Sequence, residues 1–172
     1  IVACFDQYPF SLAAALMGIN EIMLKQVDDR PFVEALMHRC LEYGVAYGAA
    51  LGQAGADLLS GGDSPAGLLG PRPYSSLAQP LERELIRQLK AATGKPVSLH
   101  ICGDARPILR SMAATGADVL EIDHAVDLGM ACQTVGPGVA LWGNLDPVRI
   151  LAHGTEEEVR QSAHAAMAAV RQ

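Results

Sequence analysis

Two residues that could bind a metal stand two positions apart in the stretch "SLHICGDARP", residues 98–107. His100 and Cys102 flank one isoleucine at the end of an apolar run. If that run is a β-strand, both side chains point to the same face, about 6.6 Å apart along the chain. An imidazole and a thiolate on one face can share a zinc ion, which prefers nitrogen and sulfur ligands. The alternative is a cysteine that only fills space as a small apolar residue.

The stretch "EIDH" supplies further candidates for the same site. Glu121 and Asp123 share one face of a predicted strand, and His124 follows at its end. Either carboxylate, or His124, could complete a site with His100 and Cys102 from the neighbouring strand. The alternative for the carboxylate is to cap the helix that comes next.

Two glycine-containing turns also carry polar side chains. In "GGDSPAG", Asp63 and Ser64 follow two glycines, which would let the backbone approach a ligand closely. In "WGNLDP", Asn144 and Asp146 precede a proline. The alternative in both cases is an ordinary turn between a strand and a helix.

Five short apolar runs must position these residues, and helical segments separate the runs. Continuous apolar runs of this length are typical of a parallel sheet covered on both faces. The alternation of strands and helices predicts an α/β fold. The predicted strands are residues 1–5, 56–60, 95–101, 117–122 and 139–143, and the predicted helices are residues 30–55, 75–94, 104–116 and 155–172.

Polar residues cluster just after the predicted strands, which favours a TIM (β/α)8 barrel over an open sheet. Barrel enzymes build their active sites at the carboxyl ends of the strands. No G-x-G-x-x-G follows the first strand, so a dinucleotide-binding fold has no support. The polar residues that follow the five predicted strands are Asp6 and Gln7, Asp63 and Ser64, His100, Cys102 and Asp104, Asp123 and His124, and Asn144 and Asp146.

The length indicates that the barrel is incomplete. A whole barrel takes about 250 residues, whereas these 172 residues supply five βα units. We therefore expect residues 1–172 to be part of one barrel domain, with strands missing at both ends. If these residues exist alone, the open sheet edges should be covered in a homodimer or larger assembly.

Charge, hydropathy and cysteine spacing indicate which partners and which compartment this protein has. A net charge of −6 argues against nucleic acid. No apolar run approaches the roughly 20 residues of a membrane span. Four widely spaced cysteines predict reduced thiols in the cytoplasm rather than a disulfide framework. We expect a cytoplasmic protein with no nucleic-acid or membrane partner.

Longer blocks resemble the uroporphyrinogen decarboxylase superfamily. They are "GGDSPAGLLGPRPYSSLAQPLERELIRQLK", "HICGDARPILRSMAATGADVLEIDHAVDL" and "LWGNLDP", and they occur in the family's order along nearly the whole chain. The superfamily contains the decarboxylases of haem synthesis and the corrinoid-dependent methyltransferases. The resemblance implies a (β/α)8 barrel, in agreement with the pattern of strand ends.

The resemblance is closer to the methyltransferase branch. Decarboxylases carry a tyrosine where this chain has Ala15, although Ser64 matches their active-site serine. The His-x-Cys pattern of His100 and Cys102 is similar to that of the methylcobalamin:coenzyme M type methyltransferases, in which it binds zinc. In that pattern a carboxylate follows on the next strand, where Asp123 is the best match and Glu121 the second.

The resemblance therefore implies a zinc-dependent methyltransferase. It would move a methyl group between a corrinoid protein, which carries methylcobalamin, and a small thiol or methylated substrate. A third metal ligand, a distant cysteine, is expected beyond Gln172. The expected catalytic residues are Ser64, Asp63 and Asp123, the expected substrate-binding residues are Asn144, Asp146 and His124, and the expected zinc ligands are His100, Cys102, Asp123 and Glu121.

Two other functions remain open at this point. A uroporphyrinogen decarboxylase uses no metal and holds the acidic side chains of a tetrapyrrole with arginines. Arg72, Arg106 and Arg149 are available, but none lies in an arginine motif of the family. A barrel that binds a ligand without catalysis is the third reading.

Overall fold

Five parallel strands form a single sheet whose spatial order follows the chain, β1-β2-β3-β4-β5. The computed structural model describes residues 1–5 and 8–170, so Asp6 and Gln7 lie outside the described residues. Sequential parallel strands with helices between them are the arrangement of part of a (β/α)8 barrel, and the predicted fold class is confirmed. The strands are β1 (Val2–Phe5), β2 (Leu58–Gly62), β3 (Val97–Ile101), β4 (Val119–Ile122) and β5 (Ala140–Trp142).

Helices lie between successive strands and after the last one. A 3₁₀ helix covers Ser64–Leu69, and π-helical turns cover Tyr74–Ala78 and Pro147–Ala152. None of the helices in the described part of the chain has the length and apolar character that a membrane span requires. The α-helices are α1 (Pro9–Met17), α2 (Ile19–Asp28), α3 (Arg30–Gln53), α4 (Pro71–Pro73), α5 (Gln79–Thr93), α6 (Leu109–Ala113), α7 (Leu128–Val135) and α8 (Glu156–Ala169).

Capping residues define several helix ends. The Asp29 side chain accepts a hydrogen bond from Phe32 N at the start of α3. Thr155 and Glu158 form a reciprocal capping box at the start of α8. Gly94 ends α5 in a left-handed conformation with φ of 65°, which glycine adopts without steric cost.

The predicted helix over residues 104–116 is wrong in extent. Only Leu109–Ala113 is α-helical. Asp104 does not cap this helix, because its carboxylate binds the Arg106 guanidinium through two hydrogen bonds of 2.6 Å. This local ion pair competes with the role of helix cap.

Strand β2 runs further than the sequence predicts and includes Gly61 and Gly62. A Cβ atom at Gly61 would lie 2.6 Å from the Phe5 carbonyl oxygen and 2.7 Å from Cε2 of Tyr8. Glycine at this position therefore allows the end of β1 and the Tyr8 ring to pack directly on β2.

The two faces of the sheet have different environments. Val97, Leu99 and Ile101 of β3 are fully buried, as are their counterparts Leu59 and Leu120. They form the core between the sheet and the helices. Alternate residues point to the other face, which corresponds to the interior of a barrel. At one level of that face, the register aligns Gly62, His100, Glu121 and Trp142 across β2 to β5.

Candidate functional site

His100 and Cys102 lie side by side where β3 ends. His100 is the second-to-last residue of β3, and Cys102 directly follows the last one. The His100 Nε2 atom is 2.9 Å from the Cys102 sulfur, and its Nδ1 atom is 3.0 Å from the Glu121 carbonyl oxygen. A carbonyl can only accept, so Nδ1 carries the proton and the Nε2 lone pair points at the sulfur. Metal-binding histidines are oriented in the same way by a partner on the other ring nitrogen.

The donor chemistry of the His100–Cys102 pair fits zinc. Tetrahedral zinc, with bonds of about 2.0–2.1 Å to nitrogen and about 2.3 Å to sulfur, would separate Nε2 from Sγ by about 3.6 Å. In the structure Nε2 and Sγ are 2.9 Å apart. Cys102 is exposed beyond the end of the strand, so a small rotation of its side chain can widen this distance to the value that zinc requires. Within residues 1–5 and 8–170, no group of three or more His, Cys, Asp or Glu side chains is placed to hold a metal. The pair is therefore only part of a donor set.

Ser64 belongs to the same site. It begins the 3₁₀ helix after β2, and its hydroxyl donates a hydrogen bond of 3.0 Å to the Cys102 sulfur. A hydroxyl that donates to sulfur restricts the orientation of the thiol group and supplies partial positive charge beside it. The structure thus brings Ser64, Cys102 and His100 into one chain of contacts at the ends of β2 and β3.

Asp123 supports the loop that follows Cys102. Its Oδ2 atom accepts a hydrogen bond of 2.8 Å from Gly103 N, and its Oδ1 atom accepts one of 2.9 Å from Ala125 N. Burial alone would raise the pKa of Asp123, but these amides and the nearby His124 and His100 rings lower it below its usual value. Asp123 is therefore an ionised anchor next to the site, and its role as a direct zinc ligand stays a prediction.

Glu121 lies opposite His100 in the sheet register and shares its face. Its backbone carbonyl orients the imidazole, while its side chain is half-buried on the barrel side. A carboxylate on this face, one strand away from His100, is within the spacing of neighbouring strands, about 4.8 Å. Its ligand role also stays a prediction.

The other predicted polar residues surround a separate cavity at the ends of β4 and β5. The cavity has a volume of about 530 Å³ and is bordered by α8. His124 lies at its edge, with Nδ1 3.0 Å from Asp123 Oδ1 and Nε2 3.8 Å from Asp146 Oδ2. Asn144 donates to the Asp123 carbonyl oxygen at 3.1 Å. The expected substrate-binding residues are thus brought together, and their role stays a prediction.

Asp146 also caps the helical turn that follows β5. Its Oδ1 atom accepts hydrogen bonds from Val148 N and Arg149 N at 2.9 and 2.8 Å, capping the π-helical turn. The hydrogen bond from Arg149 N is the largest cause of a lowered Asp146 pKa. One oxygen is therefore committed to the turn, and Oδ2 is the oxygen that faces His124 and Arg149.

Asp63 lies away from the His100–Cys102 pair, on the helix side of the sheet. It follows Gly62, which shares the register level and face of His100, so the alternation of the strand turns Asp63 the other way. The side chain is fully buried, and Oδ1 accepts a hydrogen bond of 2.6 Å from Ser11 N in α1. This position separates the Asp63 carboxylate from the His100–Cys102 pair, and the catalytic role expected of Asp63 stays a prediction.

Sequence reasoning missed Glu82, a fully buried acid in α5. The Tyr74 hydroxyl donates to Glu82 Oε2. Ala78 and Ile86, at four-residue spacing on either side of Glu82, are also buried. A glutamate in such a stripe on a helix is the signal that could have identified it.

The stability of the fold is expected to fall as pH rises above about 4.5, because of Glu82. Burial, reinforced by the charge of Asp63, raises the pKa of Glu82 well above its usual 4.5. The folded protein then keeps a proton that the unfolded chain releases, so the free energy of unfolding falls by up to about 1.4 kcal/mol per pH unit. The variant Glu82→Gln carries no such proton. Its free energy of unfolding, measured by urea titration at about pH 5, 6 and 7, should depend less on pH than that of the wild type.

Burial also raises the pKa of Asp63, to about 6, so this residue adds its own pH dependence to both proteins. The difference between the slopes of the wild type and Glu82→Gln therefore reports Glu82. Burial raises the pKa of Cys40 to about 11 and also raises those of Tyr8 and Tyr74, so all three stay neutral between about pH 5 and 8. Equal pH slopes in the wild type and Glu82→Gln would show that Glu82 does not hold a proton in the folded state.

An apolar cavity opens beside the His100–Cys102 pair. Its volume is about 590 Å³, and Cys102 and Ser64 form part of its wall. Ala14, Ile19 and Leu68, from α1, α2 and the 3₁₀ helix, supply apolar side chains to the rest of the wall. A small, largely apolar group could therefore approach the sulfur from this side.

A family model described as uroporphyrinogen decarboxylase (URO-D) matches residues 2–172. Methylcobamide:CoM methyltransferase MtbA from Methanosarcina acetivorans is 33% identical over 156 residues, covering 90% of this chain and 45% of that protein. The protein of the same name from Methanosarcina mazei is 33% identical over 153 residues, covering 88% and 44%. Uroporphyrinogen decarboxylase from Thermosynechococcus vestitus is 42% identical over 99 residues, covering 57% and 29%.

A solved structure, a methyltransferase from Methanosarcina mazei, has the same fold. The TM-score is 0.89 at 22% sequence identity, and the match covers 98% of this chain and 50% of that one. The chain spans less than half the length of the curated relatives it matches.

Proposed function

Because the chain belongs to the uroporphyrinogen decarboxylase family, we propose that it is part of a zinc-dependent methyltransferase. This enzyme would move a methyl group between a corrinoid protein and a small thiol or methylated substrate. The observation that carries the proposal is the orientation of His100, whose Nε2 lone pair faces the Cys102 sulfur because Nδ1 is held by the Glu121 carbonyl. Two MtbA proteins among the relatives support the methyltransferase branch.

Zinc bound here would act as a Lewis acid that keeps a substrate thiol deprotonated or polarises a methyl donor. His100 and Cys102 would hold it, with a third protein ligand expected from outside residues 1–172. Ser64 holds the Cys102 sulfur in place through its hydroxyl. Asp123 holds the Gly103 amide and so fixes the loop that carries the sulfur.

The remaining parts of the proposal concern substrate and partner. The apolar cavity beside Cys102 gives a small thiol or methylated substrate room to reach the metal position. His124, Asn144 and Asp146 would contact polar parts of that substrate from the other cavity. The corrinoid protein would dock over the strand ends, in the cytoplasm, where the thiols of this chain would stay reduced.

The test is a methyl-transfer assay with the purified protein, methylcobalamin and 2-mercaptoethanol as the thiol. The absorbance spectrum of the corrinoid reports loss of the methyl group. We expect demethylation that requires zinc and disappears after removal of zinc with a chelator. Turnover that is the same with and without zinc would contradict the proposed role of the metal.

A uroporphyrinogen decarboxylase is the second candidate, because several relatives have that name and one is 42% identical over 99 residues. Of the arginines considered for substrate carboxylates, Arg106 is already paired with Asp104, and Arg149 lies 3.9 Å from Asp146. Formation of coproporphyrinogen from uroporphyrinogen, without added metal, would support this function. Ligand binding without either reaction would support a barrel that has no catalytic activity.

Replacement of Asp123 by alanine is expected to weaken zinc binding about tenfold. Its carboxylate anchors Gly103, the residue next to Cys102, and loss of such an outer partner typically costs 10–100-fold in metal affinity. The affinity can be measured by competition with a fluorescent chelator. Asp104→Ala is the matched control, because this aspartate is in the same loop and its side-chain hydrogen bonds within the described part of the chain all go to Arg106. Unchanged affinity in Asp123→Ala would leave Asp123 as a loop anchor only and direct attention to Glu121.

A further inference from the structure

Two buried carboxyl groups lie on the helix side of the sheet, and one of them precedes the Ser64 hydroxyl that contacts Cys102. Asp63 follows β2, Glu82 lies in α5, and both are fully buried. One oxygen of each has a donor, since Ser11 N donates to Asp63 Oδ1 and the Tyr74 hydroxyl donates to Glu82 Oε2. The other two oxygens, Asp63 Oδ2 and Glu82 Oε1, have no donor among the described residues. A buried carboxylate oxygen without a donor costs free energy, so both oxygens need an explanation.

One proton between the two groups satisfies both oxygens. The Asp63 and Glu82 side chains are within hydrogen-bonding range of each other. Two ionised carboxylates only accept and would repel, whereas a carboxylic acid donates to a carboxylate. Burial raises the pKa of both acids, that of Asp63 to about 6 and that of Glu82 well above its usual value. The backbone amides of Ser11 and Phe10 in α1 favour the charged form of Asp63, so the proton belongs to Glu82.

The Asp63–Glu82 pair connects three elements: the end of β2, α1 and α5. Asp63 binds α1 through Ser11, while Glu82 and Tyr74 belong to α5 and the turn before it. The backbone amide of Asp63 donates to the His100 carbonyl oxygen at 2.8 Å. The next residue, Ser64, donates its hydroxyl to Cys102. The buried carboxyl of Asp63 and the hydroxyl that contacts the sulfur therefore belong to adjacent residues.

We propose that Glu82 is a positioning residue: by donating its proton to Asp63, it holds the Ser64 hydroxyl against the Cys102 sulfur. The significance of this contact for catalysis rests on the proposed role of Cys102 as a metal ligand. Glu82 itself touches neither the His100–Cys102 pair nor the cavity beside it. Glu82 affects the Cys102 sulfur only indirectly, through Asp63 and the Ser64 hydroxyl.

A double-mutant cycle tests the proposed connection without any metal. The rate of alkylation of Cys102 by iodoacetamide, followed by peptide mass spectrometry, reports the surroundings of the sulfur. We expect Glu82→Leu and Ser64→Ala each to change this rate by at least about twofold in the same direction. In the Ser64→Ala background, Glu82→Leu should then have no further effect. Independent, additive effects would overturn the proposal.

Two further variants separate positioning from simple loss of stability. Glu82→Gln should keep the wild-type alkylation rate, because the amide can donate to Asp63 Oδ2. Leu85→Ala, one turn away and also fully buried in α5, should lower the stability of the fold without changing the rate. A rate change in Leu85→Ala as large as that in Glu82→Leu would show that stability alone is responsible.

Infrared spectroscopy tests the shared proton directly and also applies if Glu82→Leu does not fold. At neutral pH the wild type should show the carbonyl band of a protonated, buried carboxylic acid, and Glu82→Gln should lack it. Absence of the band from the wild type would overturn the proposal. The failure of the proposed function is a different result: no zinc uptake by the wild type, with the mutant cycle and the infrared band as expected.

Discussion

Replacement of His100 or Cys102 by alanine is expected to lower zinc affinity by at least about 100-fold. Loss of an outer partner of a metal site already costs 10–100-fold, and these two side chains supply the nitrogen and sulfur donors themselves. Wild-type protein should purify with about one zinc per chain, and either variant with little or none. Metal content by mass spectrometry, followed by competition with a chelator, gives both quantities.

Matched controls are available in the same chain. Cys132 is half-buried in α7 and His164 lies in α8, so Cys132→Ala and His164→Ala remove the same residue types elsewhere. Both should keep the zinc content of the wild type. If His100→Ala and Cys102→Ala also keep it, the metal is bound elsewhere and the proposed site is wrong.

Replacement of Gly61 by alanine is expected to destabilise the fold by about 1–3 kcal/mol, the usual cost of overpacking a core. The new methyl group would lie 2.6 Å from the Phe5 carbonyl oxygen, a backbone atom that cannot rotate away, and 2.7 Å from the Tyr8 ring. In a domain of this size each kcal/mol lowers Tm by roughly 2–4 °C. Thermal unfolding followed by circular dichroism provides the measurement.

Gly138→Ala is the control for this variant. A Cβ at Gly138 meets no atom within 4 Å, and its φ is not in the left-handed region. Its stability should be unchanged or slightly higher, because alanine restricts the unfolded chain. Equal stabilities of Gly61→Ala and the wild type would mean that β1 and Tyr8 do not pack on β2 as described.

The fold class could be predicted because apolar strands and amphipathic helices alternate along the chain. The i, i+2 spacing of His100 and Cys102 was sufficient to place both on one face, since the strand period is two. The predicted last helix, residues 155–172, begins where the structure has a capping box formed by Thr155 and Glu158. These features depend on local sequence alone, which explains why the structure reproduces them.

The direction of Asp63 could not be predicted in the same way. Glycines are unfavourable in strands, so the strand was expected to end at Ser60 and Asp63 to belong to an open loop. The structure continues β2 through Gly62, because the close approach of Phe5 and Tyr8 requires a glycine at position 61. Two more strand residues turn Asp63 towards the helices. Its partner Glu82 depends on tertiary packing that no local pattern specifies.

Zinc X-ray absorption spectroscopy of the purified protein tests the central claim most directly. The account predicts one sulfur at about 2.3 Å from the metal and at least one imidazole nitrogen at about 2.0–2.1 Å. In Cys102→Ala, the number of sulfur ligands should fall by one. A zinc spectrum with no sulfur contribution, or one that is the same in the wild type and Cys102→Ala, would contradict the claim that His100 and Cys102 form a zinc site.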